Sequence, residues 1–106
     1  MSTTDRSCVI ALAKAPVGAI ALLHGTLDVK LAAPARPNLQ TPHEKDEVYI
    51  VVRGRGVLYH DGRQDPFDVG DFLFVAAGVE HHFEDFGDEL LLWRVFYGPN
   101  GGELTA

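Results

Sequence analysis

The chain has 106 residues, 46% of them hydrophobic, enough for one compact domain with a single modest core and too few for two. Fifteen Asp and Glu against nine Lys and Arg leave a formal charge of −6, and the basic residues form no stripe with interleaved aromatics, which argues against nucleic acid or an anionic membrane surface as partner. Cys8 is the only cysteine, which rules out an intrachain disulfide and a cysteine-built zinc site and fits a reducing, cytoplasmic setting.

At the N-terminus, "MSTTDRSCVIALAKA" has too short an apolar run, and an acidic residue where an export signal needs positive charge. No export signal is expected, and no run approaches membrane-spanning length. Downstream, β-branched and aromatic runs recur roughly every eight to twelve residues between Gly, Pro and Asp clusters, which predicts an all-β sandwich or barrel. "AIALLHG" and "LDVKLAA" come first; in the second, Leu27, Val29 and Leu31 alternate with Asp28 and Lys30 as on a strand with one buried face. "PARPNLQTP" carries three prolines and has to run over the surface or along a rim. "DEVYIVV" is the strongest β segment. In "GVLYHDGRQDPFDV", Asp61-Gly62 form a type I′ hairpin turn, which needs positive φ at both central positions. "DFLFVAA", "EHHFEDF" and "ELLLWRVFY" complete eight strands, the last apolar on both faces and therefore a central strand or a subunit interface. The tail "GPNGGELTA" is expected to be mobile or folded back over the barrel end.

Some histidines and aromatics have simple readings. His60 flanks the turn, Trp93 belongs to core or interface, and "EDFGDE" is a solvated loop. His24, ending its strand, is either a rim residue or inward-facing. His43 and Glu47 are different. If the strand begins near Pro42, side-chain alternation puts Thr41, His43, Lys45, Glu47, Tyr49 and Val51 on one face. An imidazole and a carboxylate inside a small barrel need partners, and a cation satisfies both. His81 and His82 open a later strand, and adjacent residues face opposite ways, so one of them points inward. With His81 inward, Phe83 and Asp85 follow it, while His82, Glu84 and Phe86 face out; an inward Asp85 requires the strand to end there or the Asp to cap a loop.

These residues and spacings resemble the cupin superfamily of small double-stranded β-helix barrels. Its first motif, G-x5-H-x-H-x3/4-E-x6-G, is matched in its latter part by His43, Glu47 and Gly54; its second, G-x5-P-x-G-x2-H-x3-N, runs from Gly70 through Gly78 to His81. The intermotif segment "RGVLYHDGRQDPFDV" is of the short kind found in single-domain bacterial cupins, and the resemblance spans roughly residues 27–97 of one domain covering 1–106. It implies an all-β jelly-roll barrel with His43, Glu47 and His81 as ligands of a divalent transition metal, Fe, Mn, Ni or Zn. Thr41 stands where the first motif has another histidine, Ala76 where the second has proline, and Asp85 where it has asparagine. Water completing the shell, His24 or His82 swinging in, or a metal-free pocket that binds by hydrogen bonds would answer the missing ligand, in that order of preference.

Two imidazoles and one carboxylate leave coordination positions open for substrate or dioxygen. The resemblance therefore implies a metal-dependent dioxygenase or isomerase acting on a small metabolite; the alternative is a non-catalytic small-molecule-binding or structural module. Candidate general bases are Tyr49 and Tyr59, by inward parity, and His24. The expected pocket lining is Tyr49, Val51, Tyr59, Phe72, Phe74, Phe83 and Trp93. Exposed sheet edges and the apolar "ELLLWRVFY" predict a homodimer.

Overall fold

The structure is a computed structural model that describes residues 6–38 and 40–105. Residues 1–5, which open the stretch read for an export signal, Leu39 in the proline-rich loop and Ala106 lie outside the described residues. No helix among the described residues is long and apolar enough to cross a membrane.

All eight expected strands form: β1 (Ile20–His24), β2 (Leu27–Ala32), β3 (Asp46–Arg53), β4 (Gly56–His60), β5 (Arg63–Phe67), β6 (Phe72–Val75), β7 (His81–Glu84) and β8 (Leu91–Tyr97). Among the described residues the one helical element is a 3-10 turn at Leu12–Lys14, which the sequence pattern did not signal. The strands make two antiparallel sheets, β1-β2-β8-β3-β6 and β5-β4-β7, facing each other as a jelly-roll barrel. The doubly apolar β8 takes a central position between β2 and β3. Between β4 and β5, Asp61 and Gly62 have φ of 50° and 76°, the pair of positive values that a type I′ turn requires.

The core fills one end of the barrel. Tyr49, Val51 and Leu92 from the larger sheet meet Leu58 and Phe83 from the smaller one, with Phe67, Phe86 and Leu90 closing the cluster. Gly54 permits this closure: its φ is 85°, and a Cβ there would stand 2.9 Å from the Leu90 Cα. At the other end the interior turns polar, beginning at Glu47 and His81. The tail folds back over this end, where Gly101 N donates to the Glu44 carbonyl (2.7 Å) and Glu103 N to Asp46 Oδ2 (2.8 Å).

Pairing overturns part of the parity reading. Tyr59 pairs with His82 and stacks on it at 4.7 Å on the outer face, while Leu58 pairs with Phe83 inside. Phe72 and Phe74 pair with Ile50 and Val48 on the outer face of the larger sheet and are 65% and 51% exposed; Leu73 and Val75 take the inner positions of β6. Trp93, opposite Leu31 and Ile50, is also on the outer face. Asp85 escapes the interior because β7 ends at Glu84 and Asp85 turns with φ 52°; that turn reverses the alternation and buries Phe86.

Candidate metal centre

His43 lies on the loop before β3 and not on a strand beginning near Pro42, since the ladder starts at Asp46. The face-sharing argument therefore does not apply to it, and the loop brings it to the site by another route. Gly78 N donates to the His43 carbonyl at 2.8 Å, and the ring packs edge-on against Phe96 with centroids 4.8 Å apart. Glu47, at the second residue of β3, points between the sheets beside Phe96 and Val75. His81 opens β7 on the opposite sheet and meets Glu47 across the interior.

One ligand-type atom from each of His43, Glu47 and His81 lies within 4.8 Å of the others. Glu47 and His81 are 1% exposed, whereas the His43 side chain keeps 31% of its surface and marks the open side. His81 Nδ1 is 3.0 Å from the Val79 carbonyl, which can only accept, so Nδ1 carries the hydrogen and Nε2 presents its lone pair. That lone pair faces Glu47 Oε1 at 3.0 Å, yet the two atoms do not align as donor and acceptor; both Glu47 oxygens and His81 Nε2 are buried without a hydrogen-bond partner. So close a pair requires a positive charge between the two atoms, either a second proton on the imidazole or a metal ion.

The titration tendencies follow the same geometry. Burial disfavours the imidazolium of His81, but hydrogen bonding to Glu47, the Val79 carbonyl and the charge of Glu47 outweigh it and hold the group above its ordinary value. His43 is pushed below its ordinary value, chiefly by burial against the opposing pull of Glu47, and so stands neutral as a ligand must. Burial, with Glu47 nearby, raises Tyr49 far above the usual phenol range, so it remains an O–H donor.

Of the other candidates, His24 is exposed at the end of β1 and His82 faces away from the cluster, so neither completes the shell in this geometry. Thr41 is exposed. His60 bonds Asp65 across the hairpin, 2.6 Å apart. Among the expected lining residues, Tyr49 and Phe83 border the cavity beside the cluster, and Val51 lies in the core beneath. The structure adds residues that the pattern reading missed. Gln40 Oε1 is 3.3 Å from His43 Nε2 and 3.4 Å from the Tyr49 hydroxyl, while its amide nitrogen donates to Asn38 Oδ1 at 2.8 Å. Asn38 Oδ1 in turn accepts from Phe83 N at 2.9 Å, tying the proline-rich loop to β7. Arg94 also borders the cavity, and as the one charge in the run "LLLWRVFY" it was the available signal.

A family model described as "Cupin domain" matches residues 27–97. An uncharacterised protein from Streptomyces coelicolor is 35% identical over 83 residues, covering 78% of this chain and 70% of that protein. A cupin protein from Bacteroides fragilis has a similar structure, with a TM-score of 0.64 at 18% identity over 96% of this chain and 91% of the other. HppE, crystallised with Fe(II) and substrate, gives a TM-score of 0.55 at 20% identity over 70% of this chain and 47% of that enzyme. At such identities the two structures share a fold with this chain.

Proposed function

The chain belongs to the cupin family, and from that premise we propose that it is one metal-binding cupin domain that holds a divalent transition metal on His43, Glu47 and His81 and takes a small molecule beside it. The observation that carries this reading is the convergence of His43, Glu47 and His81, whose ligand atoms lie within 4.8 Å of one another, with Glu47 Oε1 and His81 Nε2 buried 3.0 Å apart. A divalent ion satisfies both at once, and the neutral His43 supplies a third donor from the open side. The set of two imidazoles and one carboxylate suits Fe, Mn, Ni or Zn, and HppE, crystallised with Fe(II), shares the fold. When bound, such an ion supplies Lewis-acid and template chemistry of the kind that dioxygenases and isomerases use.

The chain's own residues orient the ligand set. The Val79 carbonyl fixes the His81 tautomer; Gln40 Oε1 accepts from the Tyr49 hydroxyl and from His43 Nε2, the nitrogen nearest Glu47, and has to release the latter when that nitrogen takes a metal. Tyr49 offers a proton and not a base, and the exposed His24 is no substitute. The lack of a ready base among the original candidates favours, as second reading, a non-catalytic cupin that binds a small molecule.

Elemental analysis of protein purified without chelator tests the metal. Near-stoichiometric transition metal is expected in the wild type and a large loss in His43→Ala; equally empty samples after metal-replete expression would defeat the reading. Oxygen consumption with catechol-like or β-diketone-like substrates then separates the dioxygenase from the binding module.

A further inference from the structure

We propose that the cavity beside His43, Glu47 and His81 takes a small organic acid, with its carboxylate held by the Arg94 guanidinium and Lys30. The proposal rests on the reading of this cavity as a ligand site and adds the class of ligand. Arg94 on β8 stands opposite Lys30 of β2 and Tyr49 of β3, so the three side chains share the inner face of the larger sheet. They border a cavity of about 280 Å³ whose other walls include Asn38, Gln40 and Phe83. That volume is at the small end for a metabolite site.

Arg94 is held in place but not used up. One terminal nitrogen pairs with Asp28, and the guanidinium lies over the Phe96 ring at 4.1 Å from its centroid. Its Nε is buried out of reach of the cavity and has no hydrogen-bond partner among the described residues, so it is the guanidinium as a whole that lends the cavity positive charge. Lys30 makes no ion pair among the described residues. An oxyanion would sit between the Arg94 guanidinium and the Lys30 ammonium.

Charge balance points the same way. Around the two adjoining cavities Asp28, Glu44 and Glu47 contribute three negative charges, and Lys30, Lys45 and Arg94 three positive ones. A divalent ion held at the cluster would add two positive charges to that balance, inside a chain whose net charge is −6. An anionic ligand offsets that excess, and Tyr49, Phe83 and Phe96 suit an apolar or aromatic body attached to the carboxylate.

The test compares benzoate with its neutral isostere benzamide by isothermal titration at constant ionic strength, on protein whose metal content has been measured. Wild type is expected to prefer benzoate at least tenfold, and Arg94→Met and Lys30→Met each to cut that preference severalfold. A metal's own preference for carboxylate is common to wild type and variants, so the change between them reports the two side chains. Equal affinity for both probes, no benzoate binding at millimolar concentration, or an unchanged preference in the variants would overturn the proposal. If Arg94→Met does not fold, Lys30→Met alone decides. A metal-free wild type that still discriminates would count against the metal and leave the acid site standing; metal retained with no discrimination would do the reverse.

Discussion

Glu47 dominates the energetics at the scale of single residues, because a carboxylate that is 1% exposed, with neither oxygen hydrogen-bonded, costs several kcal/mol unless a cation neutralises it. In chelator-treated protein at alkaline pH, where the His81 imidazolium no longer supplies that cation, Glu47→Gln removes the charge, so the variant should melt no lower than wild type. With the metal restored, wild type alone should gain stability, since a ligand that binds only the folded state raises its melting temperature. Thermal melting of both proteins with and without metal reads this directly, and a large loss of stability in the metal-free variant would refute it. Alternation put Glu47 inward together with His43, on a strand that in fact starts only at Asp46, and it left His81 and His82 as alternatives between which the motif spacing chose. Gln40 and Asn38 were not legible. They sit in a proline-rich loop with no periodicity, and their role depends on hydrogen bonds to His43, Tyr49 and Phe83. Arg94 was visible as a lone charge in an apolar strand, but its partner Asp28 lies 66 residues away and is joined to it only by the β2–β8 pairing.

Secondary-structure elements were read more faithfully than their ends. All eight β runs formed because each joins β propensity to glycine or proline punctuation, whereas the start of β3 and the end of β7 depend on tertiary contacts that no local pattern encodes. At the start of β3, Asp46 is buried and accepts from Ala77 N at 2.9 Å and from Glu103 N at 2.8 Å, which ties the turn before β7 and the returning tail to one carboxylate. Asp46→Ala breaks two charge-assisted hydrogen bonds and strands two amides. It should cost about 2–4 kcal/mol in denaturant titration and increase amide exchange at Glu103. Exchange that stays as slow as in wild type would show that the tail is held by other contacts. Gly54, between β3 and β4, is a second such joint. Gly54→Ala forces a Cβ onto the Leu90 backbone at positive φ, and about 1–3 kcal/mol is expected from the conformation alone, before the clash is added.

On the scale of the whole molecule, the barrel separates an apolar end from a polar one and leaves part of one sheet face without cover. The outer surface of the larger sheet carries two uncharged rows across its strands, Leu31, Trp93, Ile50 and Phe72 in one and Val29, Val95, Val48 and Phe74 in the other; the segment at Val17 covers the Leu31 end, and the open part is the β3–β6 end. Phe72, Phe74 and Ile50 keep 65%, 51% and 39% of their surface in the isolated chain, and β6, which carries the two phenylalanines, is an open edge. A contiguous apolar face beside an unpaired edge favours association, and the short antiparallel β6 offers both to a second copy of itself. The sequence pointed to a dimer through "ELLLWRVFY", but β8 is central, and it is the alternation of β6 that turns Phe72 and Phe74 outward. We therefore expect light scattering at micromolar concentration to report twice the chain mass of 11.6 kDa, and the double substitution Phe72→Glu with Phe74→Lys to give monomers. Because the cluster opens on the inner face at His43, the monomeric variant should retain the metal content of wild type. A monomeric wild type would remove the dimer, and loss of metal on dissociation would show that the partner barrel supports the site.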